Sequence, residues 1–137
     1  MDAAALAHRF GHSRCVACGD HNPRSLRLSF VADVDGGVRG FFAARAEFEG
    51  YDGILHGGTI ATLLDAAMTH CLFHEGVAGL TADLRVRYVA PVPVDAVVEL
   101  VARPLAARPP LYRVRADLLL GDRIAAWAEG KFLPKPE

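Results

Sequence analysis

The spacing of hydrophobic and polar positions changes along the chain and predicts its elements. Over residues 26–34 apolar and polar side chains largely alternate, which predicts a half-buried strand. Asp35-Gly36-Gly37 follows, and residues that tolerate positive φ predict a hairpin into a second strand at about 38–46. The two-residue period returns later, and further strands are expected at about 81–88, 95–104, 111–120 and 123–133.

Between these stretches, from about Gly58 to Phe73, the pattern predicts a helix whose residues are apolar on nearly every side. A helix that is hydrophobic all round is typically buried. Its notable interruptions, Thr62, Asp65 and Thr69, are spaced three and four apart and therefore share one face. The order of elements predicts an α+β fold, in which an antiparallel sheet of five to six strands wraps around one long buried helix.

Length and composition narrow the class of protein. The 137 residues suffice for one domain, expected over residues 25–137 after an irregular segment at 1–24 that contains Cys and His. A net charge of −1 gives no basic footprint for nucleic acid, and no apolar run is long enough to span a membrane. The N-terminus has no basic region typical of a secretory signal, and three cysteines are an odd number for a disulfide framework. We therefore expect a cytoplasmic protein without nucleic-acid or membrane partners.

Asp65 and the turn His56-Gly57-Gly58 are the candidate chemical groups. A carboxylate in an apolar helix is costly to bury unless it is paired or used. A hydrogen bond to a neighbouring Thr, or a narrow solvent-facing polar stripe, would also explain it. Glycines at the start of the helix leave backbone N–H groups open to close approach, where the helix N-terminus attracts negative charge. Together the two features could provide an oxyanion hole and a nucleophile or general base.

The spacing of these two features constrains how they could cooperate. Seven positions separate Gly58 from Asp65, which places them roughly 10 Å apart along the helix axis. An attacking group and oxyanion donors must both lie within about 3 Å of one reacting centre. One chain can hardly supply both, so we expect a homodimer or homotetramer with its active sites at the subunit interface.

Residues 48–68, FEGYDGILHGGTIATLLDAAM, resemble the signature of the phenylacetate-pathway (PaaI-like) hotdog thioesterases. Residues 80–93 resemble the strand that follows the helix in that family, and with residues 124–132 the similarity covers nearly all of 25–133. A bare His-Gly-Gly is weak support, whereas the long pattern with Asp at the matching offset is specific. The resemblance implies a hotdog fold and hydrolysis of a small, medium or aryl acyl-CoA thioester, with no cofactor.

The resemblance also implies roles for individual residues. Asp65 would be the nucleophile or general base, Gly57 would supply the oxyanion-hole N–H, and His56 would orient the turn or the thioester. Thr81 falls where relatives place a Ser or Thr near the attacking water. The residues expected to contact substrate are Gly58, Thr62, Arg85 and Arg87. The two arginines would meet CoA phosphates, although solvated arginines on a strand face are common.

One departure from the family pattern leaves other functions open. Some relatives carry an Asn or Gln six residues before the His, where this chain has Gly50. A non-catalytic hotdog protein that binds acyl-CoA or another ligand is therefore the alternative. A hotdog hydratase or dehydratase usually pairs an Asp with a His about five residues later at the start of the helix. His70 stands five residues after Asp65 but points in a different direction on the helix, and five residues before Asp65 is Ile60, so this function fits less well.

Cys15-Val16-Ala17-Cys18 is a Cys-x-x-Cys motif, a spacing that suits zinc. With a single such pair, a structural zinc would need ligands from elsewhere. The set we consider is Cys15, Cys18, Cys71 and His74, with His12, His21 and His70 as further candidates. Many hotdog proteins that resemble this one carry a similar segment, which could simply cap the sheet, and we expect no metal.

Overall fold

The computed structural model describes residues 2–137, in which a six-stranded antiparallel sheet packs against one long helix. The order of strands across the sheet is β1-β2-β4-β5-β6-β3. The strands are β1 (Phe30–Ala32), β2 (Val38–Ala43), β3 (Gly79–Tyr88), β4 (Val97–Arg108), β5 (Leu111–Leu120) and β6 (Arg123–Pro134). The helices are α1 (Ala3–Arg9), α2 (Gly57–His74) and a short 3-10 turn at Ala46–Phe48. The predicted α+β arrangement is confirmed.

Helix α2 is the centre of the core. It begins after His56, whose side chain accepts a hydrogen bond from the Gly58 N–H and so caps the helix. Eleven of its 18 residues are buried, which agrees with the apolar pattern on nearly every side. It ends before Gly76, whose positive φ of 79° is a backbone conformation typical of helix C-termini.

Small residues on β6 let the sheet approach α2 closely. Ala126 and Ala128 are fully buried, and Gly130 completes the same face of the strand. A Cβ atom at Gly130 would lie 3.2 Å from the thioether of Met68 on α2 and 2.7 Å from the ring of Phe132. A larger residue at this position would therefore push the strand away from the helix or displace both side chains.

The N-terminal segment is more ordered than its sequence suggested. The expectation of an irregular segment is wrong for Ala3–Arg9, which form α1 after Asp2, whose side chain accepts a hydrogen bond from the Ala5 N–H. The Phe10 ring then stacks on Phe73 of α2, with ring centroids 4.7 Å apart. The segment is thus packed onto the helix that carries Asp65.

The first strand is shorter than the predicted 26–34. Leu26 and Leu28 donate backbone hydrogen bonds to Val16 and Ala17 of the N-terminal segment instead of to another strand. Between them Arg27 adopts a positive φ of 56°, which breaks extended geometry. The inward face is as predicted at Leu28 and Phe30, but Val34 at the far end is 97% exposed.

Strand β3 lies at one end of the sheet. Within residues 2–137 it pairs with β6 and with no other strand. Most of its side chains are exposed, including the apolar Leu80, Leu84 and Tyr88. An edge strand of ten residues with exposed apolar side chains offers unpaired backbone groups to another strand.

No helix within residues 2–137 has both the length and the apolarity that crossing a bilayer requires.

Candidate active site

Asp65 is half-buried on α2 and is held by a residue from the edge strand. The Thr81 hydroxyl of β3 donates a hydrogen bond of 2.6 Å to Asp65 Oδ1. Burial raises the pKa of Asp65 above its ordinary value, and the Thr81 hydrogen bond and the nearby His12 partly oppose that rise. Thr81 stands at a β-bulge, because the register with β6 shifts between Thr81 and Asp83. The fold therefore brings together two residues that the sequence places 16 positions apart.

Asp65 faces a cavity of about 340 Å³. One wall is the helix face that carries Thr62, Asp65 and Thr69, as their spacing predicted. Residues 15–18 of the N-terminal segment and Leu84 of β3 also line it. The carboxylate thus lies in a mostly apolar cleft between the helix, the edge strand and the N-terminal segment.

The two glycine N–H groups of the His56-Gly57-Gly58 turn differ in their hydrogen bonding. The Gly58 N–H donates to His56 Nδ1 at 2.8 Å and is used for capping. The Gly57 N–H is the first of the helix and donates no hydrogen bond to any of residues 2–137. Of the two, Gly57 is therefore the donor that is free to meet a ligand.

Tyr88 fixes this turn and was not predicted from the sequence. Its hydroxyl donates a hydrogen bond of 2.7 Å to the Gly57 carbonyl. Its ring lies 3.5 Å from the point that a Cβ of Gly57 would occupy. The contact joins residues 31 positions apart, so no local pattern indicates it.

Gly57 and Asp65 line two different cavities of the chain. The cavity at the start of α2 has a volume of about 360 Å³ and is lined by Gly57 and Tyr88 with apolar neighbours such as Ile54. Asp65 does not line it, and Gly57 does not line the cavity of Asp65. Within one chain, the carboxylate and the free N–H are therefore not presented to the same space.

Comparison with known proteins identifies the family. The model of the thioesterase superfamily matches residues 52–123, more than half of the chain, including the turn, all of α2 and β3. The chain belongs to the thioesterase superfamily.

Individual relatives agree with this assignment. The acyl-coenzyme A thioesterase THEM4 of Mus musculus is 36% identical over 69 residues, which cover 50% of this chain and 30% of that protein. The match thus spans less than a third of the relative's length. A solved thioesterase superfamily protein is 27% identical with a TM-score of 0.81, covering 86% of this chain and 62% of that one.

The PaaI protein from the phenylacetic acid degradation operon of E. coli superposes with a TM-score of 0.79, covering 94% of this chain and 95% of that one. At 15% identity this likeness shows the fold alone. The predicted hotdog fold is confirmed.

Of the four residues expected to bind substrate, only Thr62 lines the cavity of Asp65; Gly58 and the two arginines do not. Leu84 pairs with Gly130, which faces α2, so the next residue, Arg85, points to the opposite face of the sheet. There its guanidinium lies 5.6 Å from the centre of the Trp127 ring. Arg87 alternates with the same period, and neither arginine lines the cavity of Asp65.

Gly50, where some relatives carry an amide, lies against the capping histidine. A Cβ atom there would be 3.2 Å from His56 Cδ2. A longer side chain would require the imidazole to move, and with it the cap of α2. The glycine is therefore matched to the present position of His56.

The structure groups the N-terminal motif differently from the zinc set considered above. His12, Cys15 and Cys18 have their nitrogen and sulfur atoms within 4.8 Å of one another. Cys71 is instead packed in the core, and neither it nor His74 belongs to this group. Burial raises the pKa of the Cys18 thiol, and the neighbouring Cys15 adds to that rise. The zinc set favoured from the sequence included Cys71 and His74, and His12 was only a further candidate.

Proposed function

We propose that this protein is an acyl-CoA thioesterase in which Asp65 activates the attacking water and the Gly57 N–H stabilises the oxyanion. The substrate is a small, medium or aryl acyl-CoA thioester. The observation that carries the proposal is the Asp65–Thr81 pair in an apolar cleft of a thioesterase superfamily fold. The names of the curated relatives support the same reaction class.

The environment of Asp65 suits a general base. Thr81 occupies Oδ1, which leaves Oδ2 without a protein donor among residues 2–137 and available to a water proton. The Thr81 oxygen, having donated its own hydrogen, can still accept one and so orient the same water. A pKa raised by burial makes the carboxylate a stronger base than one in solvent.

The reaction balances without a cofactor. Asp65 removes a proton from water, the water oxygen bonds to the thioester carbonyl carbon, and the carbonyl oxygen becomes an oxyanion. The Gly57 N–H donates to that oxyanion at the positive end of α2. The carbon–sulfur bond then breaks, and the thiolate of CoA leaves and takes up the proton that Asp65 acquired. The products are a carboxylic acid and CoA.

The proposed site combines Asp65 of one subunit with Gly57 of another. The separate cavities of the two residues in one chain support this arrangement. Strand β3 carries Thr81 and Tyr88, the partners of Asp65 and Gly57, and it is an exposed edge strand of the sheet. Pairing of two β3 strands about a two-fold axis would cover the edge and join both halves in each of two equivalent sites.

Release of free thiol from a panel of aryl, short-chain and medium-chain acyl-CoAs tests the proposal. We expect turnover of at least one class by the wild type. Asp65→Asn should lower kcat by about 100-fold or more, the usual contribution of a positioned general base. Full activity of Asp65→Asn on every cleaved substrate would refute the role of Asp65. Binding of acyl-CoA without turnover across the panel would favour the non-catalytic alternative.

Thermal unfolding provides the control for this variant. Because burial raises the pKa of Asp65, the folded protein holds that proton more tightly than the unfolded chain, so the ionised carboxylate lowers stability at neutral pH. Asn removes the charge and can still accept from Thr81. Asp65→Asn should therefore melt at or above the temperature of the wild type, and loss of activity would not reflect unfolding.

A further inference from the structure

The N-terminal segment contains a cluster of metal-binding side chains that the thioesterase mechanism does not use. Against the expectation from the sequence, we propose that His12, Cys15 and Cys18 bind one Zn²⁺ ion, through the imidazole Nδ1 and the two thiolates. This proposal does not depend on the catalytic one. The three residues lie in the segment between α1 and β1, and all three line the cavity of Asp65.

The interatomic distances fit zinc. Zinc–sulfur bonds of about 2.3 Å and zinc–nitrogen bonds of about 2.0–2.1 Å in a tetrahedron place neighbouring ligand atoms about 3.5–3.8 Å apart. The Cys18 Sγ–His12 Nδ1 distance is 3.6 Å, and all three ligand atoms lie within 4.8 Å of one another. Small side-chain rotations would suffice to close the site. Two thiolates and an imidazole favour zinc over the hard cations Mg²⁺ and Ca²⁺, which prefer oxygen ligands.

The backbone around the cluster is arranged as in a ligand-bearing turn. The Cys15 N–H donates to the His12 carbonyl, and the Gly19 N–H donates to the Cys15 carbonyl, so the three side chains are held on one turn. The Ala17 N–H points at Cys15 Sγ, at 3.3 Å, the kind of outer contact that stabilises a coordinated thiolate. A Cβ at Gly19 would lie 2.4 Å from the Cys15 nitrogen, so a glycine is required here.

The ring of His12 is fixed as well, by a neighbour on the helix. It meets the Phe73 ring edge-on, with centroids 4.9 Å apart. Phe73 also stacks on Phe10, so the same aromatic contact orients the imidazole and anchors the start of the segment. The imidazole is thus positioned before an ion binds, which lowers the entropic cost of binding.

The fourth coordination position would open toward the cavity that contains Asp65. His70, which also lines this cavity, is 1% exposed, and neither of its ring nitrogens has a hydrogen-bond partner among residues 2–137. An unpartnered buried imidazole beside a Cys₂His cluster is a group that a metal ion, or a water bound to it, would satisfy. Three protein ligands with one exchangeable position are a known zinc arrangement. The ion would hold residues 12–18 in place as a wall of the cavity.

Metal analysis of untagged protein, purified under reducing conditions and reconstituted with Zn²⁺, tests the proposal. We expect about one zinc per chain in the wild type and less than about a tenth of that in the double variant Cys15→Ser/Cys18→Ser. Cys71→Ser is the matched control, since it removes the remaining cysteine and should retain full metal. His12→Ala should bind more weakly than His21→Ala, which should match the wild type.

Cobalt substitution gives a readout that does not depend on the folding of any variant. Co²⁺ added to metal-free wild type should produce thiolate-to-metal charge-transfer absorption and the intense visible bands of tetrahedral coordination. Absence of these bands together with no retained zinc in folded wild type would overturn the proposal. Retention of zinc by folded Cys15→Ser/Cys18→Ser, or its loss in folded Cys71→Ser, would also overturn it.

Discussion

Asp65 is an ionisable group placed where ionisation is costly, and in the proposed mechanism that cost makes its carboxylate a stronger base. Its charge is opposed by burial and supported by a single hydroxyl, from Thr81, and by the nearby His12. A free carboxylate on a protein surface would be ionised at any physiological pH and only weakly basic. In this cleft the same carboxylate becomes a base whose strength Thr81 adjusts.

The pH dependence of activity should reveal the effect of Thr81 on the pKa of Asp65. Asp65 must be ionised to accept a proton, so kcat/KM should fall as the pH drops through a pKa that lies above the ordinary aspartate value. The Thr81 hydrogen bond lowers that pKa, and Thr81→Val removes it without changing the shape of the side chain. The acid limb should therefore move to higher pH in Thr81→Val and stay in place in Thr81→Ser. An acid limb that is the same in all three proteins would contradict this account.

The residues of the candidate site differ in how far the sequence could indicate them. Asp65 and Gly57 stand in one continuous motif, and Thr81 follows in a strand that the resemblance covers. Tyr88 makes its contact across 31 positions and carries no local signal. His12 was weighed among several histidines, because the sequence could not show which of them the chain folds back toward Cys15 and Cys18.

At the scale of elements, the start of α2 carries the N–H that we propose as the oxyanion donor. His56 caps the helix through the Gly58 N–H, and Tyr88 donates a hydrogen bond to the Gly57 carbonyl. The Gly57 N–H has no hydrogen-bond acceptor among residues 2–137. Proline is tolerated at the first position of a helix and has no N–H. His56 has φ −63° and ψ 137°, a conformation that a following proline permits.

Gly57→Pro should therefore delete the oxyanion donor while leaving the helix in place. We expect kcat to fall by about 100-fold to 1,000-fold, as is typical when one such donor is lost. Gly57→Ala keeps the N–H, and its Cβ would make only an ordinary contact with Tyr88, so it should stay within a few-fold of the wild type. Steady-state thiol release measures both variants. Equal activity of folded Gly57→Pro and Gly57→Ala would exclude the Gly57 N–H from catalysis.

The secondary-structure predictions are confirmed where the periodicity of apolar residues matches the face that the element buries. Helix α2 and strands β3 to β6 lie close to the predicted ranges, because their periodicity matches the face that they bury. Strand β1 is shorter because Leu26 and Leu28 pair with Val16 and Ala17, which no periodicity can indicate. Helix α1 had a local signal, Asp2 followed by alanines, but seven residues are too few for periodicity to identify a helix reliably.

At the scale of the whole molecule, one chain contains two residue pairs that, in the proposed arrangement, belong to two different active sites. Asp65 with Thr81 and Gly57 with Tyr88 form two separate pairs, each joining α2 to the edge strand β3. The two pairs line different cavities. An assembly through β3 would convert these two incomplete pairs per chain into complete sites, and it would cover the exposed apolar residues of that edge.

A mixed dimer of Asp65→Asn and Gly57→Pro chains tests this central claim most directly. The two variants would be co-expressed with different affinity tags and purified through both, and each parent homodimer should be nearly inactive. If Asp65 of one chain works with Gly57 of the other, each mixed dimer keeps one intact site and should recover about half of the wild-type rate. If both residues act within one chain, both sites of the mixed dimer are damaged. A purified mixed dimer no more active than its parents would contradict the account.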